Sequence, residues 1–125
     1  SPNTDRSGRN AARRVMDFVD PAVDDAGDRA LARLCFGEAF DASDPEVSPL
    51  LDDLSLLPPT HIEVGQPEVL LDDSTLLHEE AIRQGAEMTL QVTPGLLHMG
   101  QLWAPAWFEA NASLDRAAAV AARIG

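Results

Sequence analysis

"THIEVGQPEVLLDDSTLLHEEAIRQGAEMTLQVTPGLLHMG", residues 60–100, changes its apolar period twice. In residues 60–65, Ile62 and Val64 alternate with His61 and Glu63, the period of two expected of a strand with one buried face. Over residues 69–84 the spacing widens. Leu70, Ser74, Leu77 and Ala81 fall on one face of a helix, and Gly85 ends it. Residues 87–93 return to alternation, with Met88, Leu90 and Val92 set against Thr89 and Gln91. Strand, helix and strand of these lengths form a right-handed parallel crossover, so the fold class is α/β.

A two-stranded parallel sheet does not stand alone, because parallel sheets need both faces covered and several strands. Thr89 and Gln91 mark the second strand as a sheet edge. The first strand therefore expects another neighbour, and no other stretch of the chain supplies one. The sequence reads as the end of a larger parallel sheet.

Working outward, residues 1–14 are polar, contain Pro2 and Gly8, and read as loop. Residues 21–36 read as a helix. Pro21 suits its first position, and Asp24 and Asp25 sit near the positive end of its dipole. Ala30, Leu31, Leu34 and Cys35 form its expected apolar stripe, and Gly37 stops it. Residues 41–60, rich in proline, serine and aspartate, read as an ordered connector with one short helical turn. After the second strand comes "PGLLHMG", residues 94–100, and then an alanine-rich helix over about 105–123 carrying Phe108, Leu114, Ala118 and Ala121.

The composition narrows the functional classes. A net charge of −12 opposes binding to nucleic acid or to an anionic membrane surface. The chain has no run of about 18 apolar residues and no secretory leader pattern, so a cytoplasmic location is expected. It opens on Ser1 rather than methionine, as a processed product or a piece of something longer would. Cys35 is the single cysteine, which leaves no internal disulfide and no cysteine metal cluster. At helical spacing it reads as a buried core thiol. No metal or cofactor is expected.

His98 is held between Pro94, Gly95 and Gly100, in a loop built to be rigid. The residues alone allow a proton carrier or an ordinary loop histidine. His61 reads as a packed or edge histidine on its strand. His78, beside Glu79 and Glu80, reads as a solvated helix residue.

The run from Ser48 to Pro105, "SPLLDDLSLLPPTHIEVGQPEVLLDDSTLLHEEAIRQGAEMTLQVTPGLLHMGQLWAP", resembles the C-terminal part of the hormone-sensitive-lipase-like esterases of the α/β-hydrolase fold. That family carries "SPL…DLSGLPP", a strand, "VGSDEVLLDDS", a helix, a second strand and "PGxxHxxxxF". The opening "SPNTD" also resembles the family's "SPWTDLT". The resemblance is weakest over residues 10–36, which match the second piece of a cap domain. It implies a cap-like helical segment with its connector over residues 1–47, and the C-terminal α/β-hydrolase segment over residues 48–125. It also implies that His98 is the general base of a serine hydrolase acting on short acyl esters through an acyl-enzyme.

Two departures bear on that expectation. The family's orienting aspartate corresponds to Pro67, which cannot accept a bond from an imidazole. Glu68, next in sequence and one carbon longer, is the candidate substitute acid. Asp72 and Asp73 read instead as helix-start residues favoured by the dipole. Secondly, the chain contains no G-x-S-x-G elbow and no His-Gly-Gly oxyanion loop, and none of its serines sits in a strand–turn–helix elbow. The isolated chain is therefore expected to be inactive. Its expected partners are a small ester substrate in the complete enzyme and either a second copy or a complementing chain. The alternative is a non-catalytic relative kept as a binding or assembly module after losing its acid. Trp103, Trp107 and Phe108, flanking the His98 loop, are expected to pack the last helix on the sheet.

Overall fold

Over residues 60–93 alternation and helical spacing are realised where the sequence places them. The computed structural model describes residues 1–124. Strand β1 (Thr60–Gly65) runs parallel to β2 (Met88–Thr93), with Thr60 opposite Met88 and Gly65 opposite Thr93. Helix α3 (Leu71–Arg83) makes the crossover and buries Ser74, Leu77 and Ala81. Leu77 and Ala81 close a core with Ile62, Met88 and Ala86, completed by Leu50 and Leu54 from two short 3-10 turns, Pro49–Leu51 and Leu54–Leu56. Among the described residues the sheet has only these two strands, and none of the helices is long and apolar enough to cross a membrane.

The opposite sheet face is polar and selects a different kind of helix. Helix α4 (Phe108–Ile124) lies against β1 and buries Ala110 and Ser113. One turn further, Arg116 places two nitrogens on the Glu63 carboxylate at 2.9 and 2.8 Å and reaches the Thr93 hydroxyl at 3.1 Å. The expected apolar face of this helix points away. Phe108 is 80% exposed, and Leu114, Ala118 and Ala121 are also exposed. With His61 and Glu63 on this side of the strand, α4 follows charge and hydrogen bonding. Trp103 is likewise exposed rather than packed, whereas Trp107 is half-buried against Gly100.

Residues 1–47 are joined to this unit by buried polar groups. A short helix α1 (Ala12–Val15) begins within residues 1–14, expected to be loop, and runs one residue past them. Helix α2 (Asp25–Phe36) starts four residues after Pro21, because Asp24 caps it by accepting the Gly27 N–H at 2.6 Å. Its buried residues are Asp28 and Ala32. The expected stripe is exposed instead, with Leu34 83% accessible and Cys35 on the surface rather than in a core. The cause is Arg13. Its buried guanidinium needs anions and takes Asp28 at 2.7 Å, which turns that face of α2 inward.

Arg13 also meets Asp73, which has no exposed surface and accepts the N–H groups of Thr4 and Asp5 at 2.8 and 2.7 Å. Asn10 donates to the same carboxylate, and Asp72 accepts the Ala12 N–H at 2.8 Å. The two aspartates at the start of α3 thus fasten the N-terminal segment in addition to facing the helix dipole. Replacing Asp73 by alanine strips Arg13 of one anion and orphans two buried N–H groups. Urea unfolding should show a loss of about 3–5 kcal/mol. A loss below about 1 kcal/mol, the value of an exposed pair, would contradict this account.

Candidate active site

The ends of β1 and β2 are level, so the loops leaving them are neighbours. The Thr93 carbonyl accepts from Gln66 N–H at 3.0 Å in one loop and from Leu96 N–H at 3.4 Å in the other. Pro94 and Gly95 occupy the corner, and Gly95 has φ +74°, the value a type II turn demands at its third residue. The chain then crosses over the end of β1. A Cβ on Gly65 would lie 1.6 Å from the Leu96 carbonyl oxygen, so the crossing requires glycine there. The Leu96 side chain is fully buried and anchors the loop. The Gly100 N–H closes a turn on the Leu97 carbonyl at 2.9 Å, with Met99 left-handed at φ +53°. His98 sits at the centre of that turn.

This crossing brings His98 to Glu68. The Nδ1 atom lies 3.0 Å from Glu68 Oε2, while Oε1 accepts the Gly65 N–H at 2.5 Å. An ionised carboxylate only accepts, so Nδ1 carries the proton and, in the neutral ring, Nε2 carries the lone pair. Among the described residues Nε2 has no hydrogen-bond partner. The Ser1 hydroxyl lies 2.8 Å from Nδ1, on the carboxylate side of the ring. Burial pushes the Glu68 carboxyl up, but hydrogen bonds from His98, Ser1 and the Gly65 N–H outweigh it and hold the group below the usual carboxylate range. The ring borders an open pocket of about 460 Å³ whose wall includes Val23, Leu31, Leu70, Asn3 and Arg6.

Pro67 lies in the turn that Glu68 N–H closes on the Gly65 carbonyl at 3.3 Å. The residue after it, Glu68, is the one whose side chain meets the imidazole. Asp72 and Asp73 are occupied by the N-terminal segment. His61 is held outside this site by Thr89 at 2.8 Å and Glu63 at 3.3 Å, and His78 is half-buried on α3. Burial raises the Glu63 carboxyl, but bonds from Arg116, Ser113 and His61 bring it below its ordinary value. Two contacts have no signature in the sequence. Asp20 and Asn10, outside the periodic stretches, hold the backbone of Val69 beside Glu68. Among the described residues no cluster of three or more His, Cys, Asp or Glu side chains is arranged to hold a metal ion.

The loop that ends the crossover thus delivers a histidine to a carboxylate at the carboxyl end of the two strands. The chain belongs to the alpha/beta hydrolase fold family, whose model matches residues 1–102. Within that family it corresponds to the C-terminal portion of a hormone-sensitive-lipase-like esterase. An esterase of Acinetobacter venetianus is 43% identical over 65 residues, covering 52% of this chain and 21% of that protein. An acetyl-hydrolase of Streptomyces hygroscopicus is 29% identical over 119 residues, covering 95% and 40%. Among solved structures, the esterase EstE5 soaked with ethyl alcohol matches with a TM-score of 0.84 at 32% identity, over 92% of this chain and 38% of that one. A hormone-sensitive lipase from a metagenome library matches with a TM-score of 0.85 at 26% identity, over 91% and 39%. The chain thus spans between about a fifth and two-fifths of the length of these relatives.

Because Glu68 is held below its ordinary value in the folded chain, its ionised form stabilises the fold above about pH 4.3. That contribution is lost as the pH falls through its folded value. The stability gap between the native chain and Glu68→Gln should therefore be largest above pH 5 and shrink as the pH is lowered. Urea titrations from pH 7 to pH 3 measure it. A gap that stays constant or widens toward acid would contradict the assignment.

Proposed function

We propose that this chain supplies the base and the acid of a serine carboxylesterase acting on short acyl esters. The observation that carries the reading is the Glu68–His98 contact at 3.0 Å, with Nε2 left to face a nucleophile. In the complete enzyme a serine outside this chain stands at Nε2. His98 takes its proton as the hydroxyl attacks the ester carbonyl, then returns that proton to the leaving alcohol. A water is deprotonated in the same way to release the acid. Glu68 stays ionised, fixes the tautomer and stabilises the imidazolium that forms. Ser1 sits at Nδ1 rather than Nε2, so its hydroxyl is on the wrong side of the ring to be the nucleophile.

The nucleophile and oxyanion donors come from a segment that completes the sheet beside β1. The exposed Leu102, Trp103 and Phe108 offer apolar surface to that segment or to a second copy of the chain. The cap-like piece, residues 1–47, walls the pocket through Val23 and Leu31.

The isolated chain should not hydrolyse p-nitrophenyl acetate. Joined to an upstream segment bearing a G-x-S-x-G elbow, it should do so. His98→Ala and Glu68→Gln should then each lower kcat by about 10⁴-fold with KM little changed. Undiminished turnover in His98→Ala would overturn the reading. So would turnover by the isolated chain that a single Ser→Ala substitution abolishes.

A further inference from the structure

Glu68 lies in a short irregular stretch between the end of β1 and the start of α3, so neither element fixes its backbone. Its own N–H bonds to the Gly65 carbonyl at 3.3 Å, and its carbonyl accepts from Leu71 N–H at 3.2 Å. The next residue, Val69, has no exposed surface, so both its peptide groups need partners inside the protein. Both partners are side chains distant in sequence. Asp20 Oδ2 accepts the Val69 N–H at 3.0 Å, and Asn10 Nδ2 donates to the Val69 carbonyl at 3.1 Å.

Each of these side chains is buried and tied down elsewhere. The other oxygen of Asp20, Oδ1, accepts from Ala22 N–H at 2.9 Å and Val23 N–H at 3.3 Å. Asn10 accepts the Arg13 N–H at 3.1 Å and donates to Asp73. The peptide between Glu68 and Val69 includes the Val69 N–H, so the bond to Asp20 sets the backbone orientation from which the Glu68 side chain departs. A rotation there swings the carboxylate off Nδ1.

We infer that Asn10 and Asp20 are positioning residues that hold Val69, and through it aim the Glu68 carboxylate at His98. The inference rests on the reading of Glu68 and His98 as acid and base. It also ties the wall of the pocket to that pair, since the Asp20 carboxylate that grips Val69 N–H also caps the turn carrying Val23.

Proton NMR of the 125-residue chain tests it through the low-field Nδ1 proton of His98, which a purely structural role for Asp20 would leave untouched. The native chain should show this signal, and Glu68→Ala should lose it. Asp20→Ala and Asn10→Ala, with native far-UV circular dichroism, should lose it or exchange it with solvent about tenfold faster. Ser7→Ala removes a bond to Asp5 in the same N-terminal segment without touching Val69 and should retain it. Retention at the native exchange rate in both Asp20→Ala and Asn10→Ala overturns the inference. If Asp20→Ala does not fold, Asn10→Ala decides alone, because it removes the donor to the Val69 carbonyl: faster exchange supports the inference and an unchanged rate overturns it. A signal that survives Glu68→Ala instead shows that the Glu68–His98 pairing itself is wrong, and the inference falls with it.

Discussion

The missing Cβ of Gly65 is the constraint on which the site depends. A parallel sheet leaves the loops after its strands at one end, but it does not by itself bring their side chains together. Here the loop after β2 passes directly over the last residue of β1, with the Leu96 carbonyl where any side chain at position 65 would begin. The same glycine gives its N–H to Glu68 Oε1. One residue therefore lets the histidine loop in and holds the carboxylate that meets it. Leu96 buries its side chain to fix the loop's height, and the Pro94–Gly95 corner sets its direction.

The rest of the chain is organised around carboxylates as much as around apolar surface. The apolar core is one-sided, lying between the sheet and α3 with Leu50 and Leu54 as its edge. On the other side Glu63 receives Arg116 from α4. Between the N-terminal segment and α3, Asp73, Asp72, Asp5 and Asp20 accept backbone N–H groups that would otherwise be buried without partners. Part of the strongly negative composition is thus structural. Removing one partner of such an arrangement costs far more than removing an exposed charge, because the other partner stays buried.

What the sequence discloses depends on how local the physics is. The alternation of Ile62 and Val64 and the Leu77–Ala81 spacing report burial of one face, and those elements form where the pattern places them. Gly95 and Gly100 report backbone needs and mark the His98 loop, whereas the need for Gly65 appears only once Leu96 is seen to cross it. The α2 and α4 stripes mislead for a shared reason. Leu31, Leu34, Leu114 and Phe108 have the spacing of buried residues, but Arg13 and Glu63 decide which faces turn inward. Charge pairing between distant segments has no period to detect. The same holds for Asp20 and Asn10, whose contacts with Val69 span 49 and 59 residues. Pro67 at the expected place of the acid makes that position look lost, whereas a shift of one residue within the loop brings Glu68 to the imidazole.

The most direct measurement is the structure of the Gly65→Ala variant. The added methyl group cannot coexist with the Leu96 carbonyl, so residues 94–100 should lift away from the end of β1. His98 Nδ1 should then leave hydrogen-bond distance of Glu68 while the β1–β2 register is preserved. A variant that keeps the 3.0 Å contact with its loop unmoved would contradict the account.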